Sequence, residues 1–175
     1  MTIKVLEKVG DCMPQIIAKG DWIDLYTAEE VTLKAPYAKT LHRNKQDNDT
    51  EKTREVVFDS TLINLGVAIK LPKGIEAYIL PRSSTFKKWG LFQSDHMAVM
   101  DQIYCGNNDI WWFPVTATRS VTIPKGTRLC QFRVQLSQKA TMWQKIKWLF
   151  SSSIKLKQVS SLGDNNRGGF GTSGN

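Results

Sequence analysis

Three places in the sequence carry residue types that can do acid–base chemistry or bind a ligand. Asp101 ends an apolar run, and such a carboxylate beside a cavity can act as a general base, although capping a turn is its other common role. Arg82, Ser83 and Ser84 can form an anion pocket, or can simply end a strand and cap a helix. Gln131 is polar within an apolar run and needs a partner, either in the core or on a ligand.

The C-terminal residues 163–175 form a fourth candidate. They carry five of the 12 glycines and a single aromatic residue. Glycine N–H groups and the guanidinium of Arg167 can surround phosphate oxygens, and the ring of Phe170 can stack on a base. So few apolar residues cannot hold a segment in place alone, so we expect a flexible tail that either orders on something else or has no role.

The runs that must position these residues predict an all-β domain. Most apolar residues lie in short runs rich in β-branched and aromatic side chains, separated by Gly, Pro and Asn, as in a sandwich or barrel. The predicted strands are Thr61–Leu71, Ile75–Leu80, Ile110–Thr116, Ser120–Ile123 and Arg128–Leu136. Residues 38–55 have almost no apolar content and are predicted to form a solvated loop.

One later segment breaks the β pattern. In 141–150 apolar residues recur at helical spacing with lysines between them, which predicts a short amphipathic helix. It lies in a region from Ile110 to Gly163 that has no acidic residue and nine basic ones, while the whole chain has a formal net charge of +8. That imbalance indicates either contact with anions or a region that does not need carboxylates.

Composition excludes several classes of protein. A hydrophobic share of 41% is too high for a disordered chain, and no apolar run approaches the ~20 residues of a membrane span. The N-terminal stretch contains acidic residues where a signal peptide needs an apolar core. Three widely spaced cysteines fit neither a disulfide framework nor a zinc site. We therefore expect a cytoplasmic protein with reduced thiols.

The chemistry-bearing segments occur in an order that resembles the trimeric dUTPase family. That family has five short motifs in fixed order, and the matching segments here are Asp21–Leu25, Arg82–Ser84, Ala98–Gly106, Gly126–Gln131 and Gly168–Gly174. The first motif lacks the usual Ala-Gly, and the third has Met100 in place of Ile. Arg167 lies three residues before Phe170 rather than five, a form that resembles dUTPases of Gram-positive bacteria and their phages.

The resemblance implies a fold and an activity. The fold would be a dUTPase-like β-barrel or jelly roll over residues 1–162, with the solvated loop 38–55 and a basic insertion at 139–155. A flexible motif at 163–175 would close over the active site. The protein would be a homotrimer with active sites shared between subunits, and would hydrolyse dUTP to dUMP and pyrophosphate with Mg²⁺.

The resemblance also implies residue roles. Asp101 would activate the water that attacks the α-phosphorus, and Asp24 would hold Mg²⁺ through a water molecule. Tyr104 would lie under the deoxyribose, and Phe170 from a neighbouring subunit's tail would stack on the base. Further contacts to the substrate would come from Arg82, Ser83, Ser84, Gln131, Arg167, Gly168, Gly169, Gly171, Thr172 and Ser173.

Three alternatives stay open at this point. A dCTP deaminase has the same fold and motif order, but its catalytic Glu follows the motif-three Asp by ten residues, where this chain has Trp111. The basic segment 139–157, with Trp143 and Trp148, could instead contact nucleic acid or an anionic membrane. A dUTPase with two insertions could also act as a regulatory partner of another protein.

Overall fold

The computed structural model describes residues 1–42, 52–151 and 153–169. Strands dominate these residues, and two short helices interrupt them. The strands are β1 (Thr2–Glu7), β2 (Gln15–Ile16), β3 (Ile23–Tyr26), β4 (Val31–Leu33), β5 (Tyr37–His42), β6 (Lys52–Val57), β7 (Ser60–Lys70), β8 (Ile75–Pro81), β9 (Leu91–Gln93), β10 (Ala98–Met100), β11 (Ile110–Ala117), β12 (Val121–Ile123), β13 (Arg128–Leu136) and β14 (Lys155–Gln158). The helices are α1 (Thr85–Trp89) and α2 (Met142–Leu149).

Two five-stranded sheets enclose the hydrophobic core. One has the strand order β14-β1-β7-β11-β9, and the other has the order β10-β8-β13-β3-β2. Side chains from both sheets share one buried cluster, in which Trp111 of β11 meets Phe132 of β13 edge to face with ring centroids 5.1 Å apart. The alternating burial along β8 shows why it folds as a strand with one face on this core. The predicted all-β jelly roll and its five strands are confirmed.

The prediction of a solvated loop over 38–55 is wrong at both ends. Strands β5 and β6 pair antiparallel as a two-stranded ribbon, and residues 43–51 lie outside the described part. In this register Lys39 lies opposite Glu55, so cross-strand charge pairing supports a strand pair that has little apolar content. A search for apolar alternation misses such a ribbon.

The predicted amphipathic helix is confirmed as α2. Thr141 caps its first turn: the Thr141 hydroxyl accepts a hydrogen bond from the Gln144 N–H, and the Gln144 side chain accepts one from the Thr141 N–H at 2.7 Å. Within the described residues, neither helix is long and apolar enough to cross a membrane. All three cysteines are buried and free.

Candidate active site

Asp101 lies just after β10, and its two carboxylate oxygens have different environments. Oδ1 accepts hydrogen bonds from the backbone N–H groups of Ile103 at 3.0 Å and Tyr104 at 3.2 Å, so it caps the turn. Oδ2 accepts from Nη1 of Arg167 at 2.9 Å. The turn-capping role that the sequence allows is therefore present, and the turn fixes the direction in which the second oxygen points. The Asp101 side chain is 41% exposed, so a water molecule can reach it.

Tyr104 forms a wall beside this carboxylate. Its ring is buried, and its hydroxyl donates a hydrogen bond to the backbone oxygen of Ile110 at 2.7 Å. Burial and the negative charge of Asp109 raise the pKa of Tyr104, and the Arg167 guanidinium opposes them only in part. The phenol therefore stays protonated at neutral pH, and its hydrogen bond holds the ring in a fixed orientation.

Asp109 anchors the beginning of the tail to this site. Its buried carboxylate accepts hydrogen bonds from the N–H groups of Arg167 at 2.9 Å, Gly168 at 3.0 Å and Gly106 at 2.8 Å. Burial alone would raise the pKa of Asp109, but these backbone hydrogen bonds outweigh it and hold the pKa below its usual value. The carboxylate is thus ionised at neutral pH and binds the tail through charge-assisted hydrogen bonds.

Close packing completes the contact between the tail and the turn. A Cβ added to Gly106 would come within 2.5 Å of the Asn166 backbone, and one added to Gly169 would come within 3.0 Å of the Tyr104 ring. The backbones can approach this closely only because both positions are glycine. Residues 166–169 thus lie on the 101–109 turn of their own chain. Of the tail predicted over 163–175, these residues order on the protein itself.

We expect Asp109→Asn to release the tail. The asparagine amide keeps one oxygen that can accept, but its NH₂ group then faces backbone N–H donors. The free energy of tail docking should therefore become less favourable by about 1.5–3 kcal/mol. Trypsin cleavage after Arg167 measures this loss and should become at least about tenfold faster. Asp164→Asn is the matched control, because Asp164 lies in the same tail but its ion pair with Lys70 is solvent-accessible and contributes only about 0–1 kcal/mol. Equal cleavage rates in wild type and Asp109→Asn would show that this carboxylate does not hold the tail.

The same carboxylate predicts how tail docking depends on pH. The folded pKa of Asp109 is lowered, so its contribution is complete above the unfolded pKa of about 3.9. The contribution is lost as the pH falls through the depressed folded value. Trypsin is inactive at such low pH, so pepsin cleavage of the tail is the suitable measurement. Because the folded pKa is depressed, the tail should still be protected from pepsin at pH values just below about 4.

A cavity of about 190 Å³ opens where these residues meet. It is lined by Asp95, Ala98, Val99, Met100, Asp101, Tyr104, Arg167, Gly168 and Gly169. Two carboxylates and one guanidinium share this cavity with an aromatic ring and two glycines, so it can bind a small polar ligand.

A second cluster surrounds Asp24 in β3. This carboxylate is 2% exposed, and its Oδ2 accepts from Nη1 of Arg82 at 2.7 Å and lies 3.4 Å from Nη1 of Arg128. Gln131 lies directly opposite Asp24 in the β3–β13 register and is half-buried. Two guanidiniums on one carboxylate leave a net positive charge, which suits binding of an anion.

The cationic cluster opens into a cavity of its own. It has a volume of about 230 Å³ and is lined by Arg82, Ser84, Lys88, Trp89, Thr127 and Arg128. Ser83 and Ser84 are exposed, and the Ser84 side chain makes no capping hydrogen bond to α1. The alternative in which these hydroxyls merely cap a helix is therefore not realised.

The two clusters lie at opposite ends of one sheet. Met100 pairs with Ala77 near the start of β8, whereas Arg82 follows the last residue of that strand. Asp101 and Arg82 are thus separated by about six residues along β8, or about 20 Å. The structure brings Asp101, Tyr104 and Arg167 together at one end of the sheet. It brings Asp24, Arg82, Gln131 and Ser84 together at the other end. A single chain does not bring these two sets of residues into contact.

Other predicted site residues have different outcomes. Gly168 and Gly169 line the first cavity, whereas Phe170, Gly171, Thr172 and Ser173 lie outside the described residues. Asp109 is a site residue that sequence reasoning missed. In the sequence, Asp109 is marked only by its place between a Gly-Asn-Asn turn and an apolar strand. Its hydrogen bond to the tail comes from the backbone N–H of Arg167, which is 58 residues away in the chain.

The fold and the two cavities define a class of protein. The domain is a jelly roll with two cavities. One is lined by acidic residues, an arginine and an aromatic ring, and the other is lined by cations. Such a domain is suited to bind a phosphorylated small molecule. Comparison with known proteins narrows this class. The family model described as dUTPase matches residues 50–174 of the chain. The chain therefore belongs to the dUTPase family, as its five motifs predict.

Individual relatives agree with this assignment. The SPbeta prophage-derived deoxyuridine 5'-triphosphate nucleotidohydrolase YosS of Bacillus subtilis is 38% identical over 156 residues, which is 89% of this chain and 85% of the relative. The deoxyuridine 5'-triphosphate nucleotidohydrolase of Finegoldia magna is 26% identical over 181 residues, with 99% of each chain covered.

Solved structures show the same fold. The dUTPase from Streptococcus mutans superposes with a TM-score of 0.60 at 17% identity, covering 81% of this chain and 99% of that one. The Staphylococcus bacteriophage 80alpha dUTPase gives a TM-score of 0.58 at 15% identity, covering 80% and 93%. The predicted similarity to proteins of Gram-positive bacteria and their phages is confirmed.

Proposed function

We propose that this protein is a dUTP diphosphatase, which hydrolyses dUTP to dUMP and pyrophosphate. The observation that carries the proposal is the position of Asp101 Oδ2, oriented by its turn and paired with Arg167 at the edge of a cavity walled by Tyr104. Membership of the dUTPase family supports it, as do relatives named deoxyuridine 5'-triphosphate nucleotidohydrolases.

In the proposed reaction Asp101 is the general base. Oδ2 takes a proton from a water molecule as the water oxygen bonds to the α-phosphorus. On the opposite side, the bond from the α-phosphorus to the oxygen that bridges it to the β-phosphorus breaks, and pyrophosphate leaves with that oxygen. Before this step Arg167 has to leave Asp101 and move to the phosphate, where its guanidinium would stabilise the charge of the transition state. Tyr104 would support the deoxyribose.

The phosphate contacts in this proposal come from a second copy of the chain. Arg82, Ser83, Ser84 and Gln131 belong to the cationic cluster, which lies about 20 Å from Asp101 within one chain. Repeating the chain around a symmetry axis can place one copy's cationic cavity against another copy's Asp101 cavity. This arrangement is the homotrimer with shared active sites that the sequence resemblance implies.

Exposed aromatic residues beside the cationic cluster support an interface there. Phe86 and Phe92 stack with ring centroids 5.0 Å apart, yet they are 54% and 49% exposed. They line one groove together with Arg82 and Ser83. Exposed apolar surface at a polar site is typical of subunit contacts.

The residues also fit a Mg²⁺ ion that arrives on the triphosphate. No cluster of three or more His, Cys, Asp or Glu side chains that could hold a metal occurs in the described part of the chain. Mg²⁺ keeps several waters and is commonly held by phosphate oxygens. Asp24, which is buried and paired with two arginines, would contact the ion only through a water. Once bound, Mg²⁺ would neutralise charge on the triphosphate.

The structure offers no support for the deaminase alternative. Trp111, at the position of the deaminase glutamate, is fully buried against Phe132 and lies in the core between the sheets. Its indole cannot exchange protons with a substrate in place of a carboxyl group. Phosphoryl chemistry at Asp101 is therefore the better account of the site.

Pyrophosphate release from dUTP, dTTP, dCTP and UTP, with Mg²⁺ or with EDTA, tests the proposed function. We expect turnover of dUTP alone and a loss of most of the rate in EDTA, because the triphosphate charge then stays unscreened. Ammonia release from dCTP would favour the deaminase hypothesis. Equal turnover of all four nucleotides would contradict the proposed substrate.

A further inference from the structure

Helix α2 presents its apolar residues to solvent. Met142, Trp143, Leu149 and Phe150 are 70%, 75%, 79% and 84% exposed, and Ile146 is 36% exposed. At 100° per residue these five side chains fall within an arc of about 120°. They form one continuous surface, which we call the α2 apolar stripe.

The opposite side of the helix faces the protein. Trp148 is half-buried and packs against the core. Gln144 packs against Gly74 so closely that a Cβ there would come within 2.5 Å of the Gln144 side chain. Gln144 and Trp148 lie on the helix side opposite the centre of the stripe. The helix is therefore docked by its less apolar side, and its apolar stripe has no cover within the described chain.

Lysines border the stripe on both edges. Lys145 and Lys147 are exposed and lie about 40° beyond its two margins. Neither forms one of the ion pairs between described residues. Lys139, Lys155 and Lys157 lie in the flanking segments, and the sequence has no acidic residue from Ile110 to Gly163. The surface around the stripe is therefore cationic without compensating acids nearby in the chain.

We propose that the α2 apolar stripe is an interaction surface for an anionic lipid bilayer. A helix with Trp, Phe and Leu on one face and lysines along its edges lies in the plane of the interface, with the apolar side chains at the boundary of headgroups and acyl chains. The lysine ammonium groups then reach the lipid phosphates along extended side chains. The docked side of α2 stays on the protein, so binding needs no unfolding.

The distribution of charge favours a bilayer over other occupants. A surface that binds nucleic acid carries cations across the whole contact, because neutralisation of phosphates supplies most of the affinity. The centre of this surface is apolar instead. Two copies joined stripe to stripe would bring the lysines at the edges of both stripes together, which is unfavourable. A bilayer supplies the apolar layer and the negative charge together.

Vesicle flotation with purified full-length protein tests the proposal. We expect binding to vesicles of phosphatidylcholine and phosphatidylglycerol, and much weaker binding to phosphatidylcholine alone. Lys145→Gln/Lys147→Gln should weaken binding at least about tenfold, because each lysine near an anionic surface contributes about 1 kcal/mol. Trp143→Ser/Leu149→Ser should remove binding, because it deletes two strongly exposed apolar side chains, one at each margin of the stripe.

Two matched controls separate the stripe from general properties of the chain. Lys34→Gln/Lys125→Gln removes the same charge from exposed positions next to β4 and β12. Val56→Ser/Phe58→Ser removes exposed apolar side chains that are 57% and 49% exposed near the end of β6. Both control variants should bind vesicles like wild type. All four variants should keep the wild-type melting temperature and circular dichroism, since each changes exposed side chains.

Three results would overturn the proposal. The first is an equal loss of binding in the charge control, which would assign the effect to the net charge of +8 rather than to α2. The second is a gel shift with single-stranded DNA that depends on Lys145 and Lys147 while vesicles stay unbound. The third is a stripe variant that dissociates an oligomer in analytical ultracentrifugation, which would make a second copy the occupant.

Discussion

Asp101→Asn is expected to lower kcat for dUTP by about 10²–10⁴-fold, the usual contribution of a positioned general base. The amide keeps the shape of the carboxylate, and its oxygen can still accept from the Ile103 and Tyr104 N–H groups, so the turn should persist. The lost ion pair with Arg167 joins two side chains that are 41% and 38% exposed, so it contributes only about 0–1 kcal/mol to stability. KM should change little, because in the proposed reaction Asp101 contacts the attacking water and does not hold the triphosphate.

The matched control for this variant is Asp95→Asn. Asp95 lines the same cavity, but its carboxylate accepts from the Gln93 side chain and is not part of the turn that presents Asp101. Steady-state kinetics with both variants distinguishes two explanations for a loss of kcat. One is that Asp101 accepts a proton, and the other is that the cavity needs negative charge in general. Near-normal kcat in Asp101→Asn, or an equal loss in Asp95→Asn, would contradict the assignment of the base.

Much of the fold follows from local sequence patterns. The runs that became β7, β8, β11, β12 and β13 were predictable because alternation or continuous apolar content reflects burial against a sheet. Helix α2 was predictable because its apolar residues recur at helical spacing. That periodicity says which residues share a face, but not whether this face meets the core or solvent. The outward direction of the α2 apolar stripe depends on packing of Trp148 and Gln144.

The site was less predictable than the fold. Motifs identify Asp101, Arg82 and Asp24 as chemically important, but a list of motifs contains no distances. The separation of about 20 Å between Asp101 and Arg82 follows from the β8–β10 register, which is a property of strand pairing. Asp109 was missed for a related reason, because its partners are backbone N–H groups that carry no sequence signature.

Under the proposed function, the two separated clusters are two half sites of one chain. Asp101, Tyr104 and Arg167 form one half, and the cations Arg82 and Arg128 form the other. If each active site joins the halves of different subunits, a substitution in one half leaves the other half of the same chain usable. Two inactive variants with defects in different halves should then restore each other in a mixed oligomer.

Mixing Asp101→Asn with Arg82→Ala is therefore expected to recover activity that neither variant has alone. After joint unfolding and refolding at equal concentrations, random assembly gives about one quarter of the sites two intact halves, so kcat per chain should reach about a quarter of wild type. Asp101→Asn mixed with Tyr104→Ala is the matched control, because both defects lie in the same half. Recovery in the control mixture, or none in the first, would contradict an active site shared between subunits.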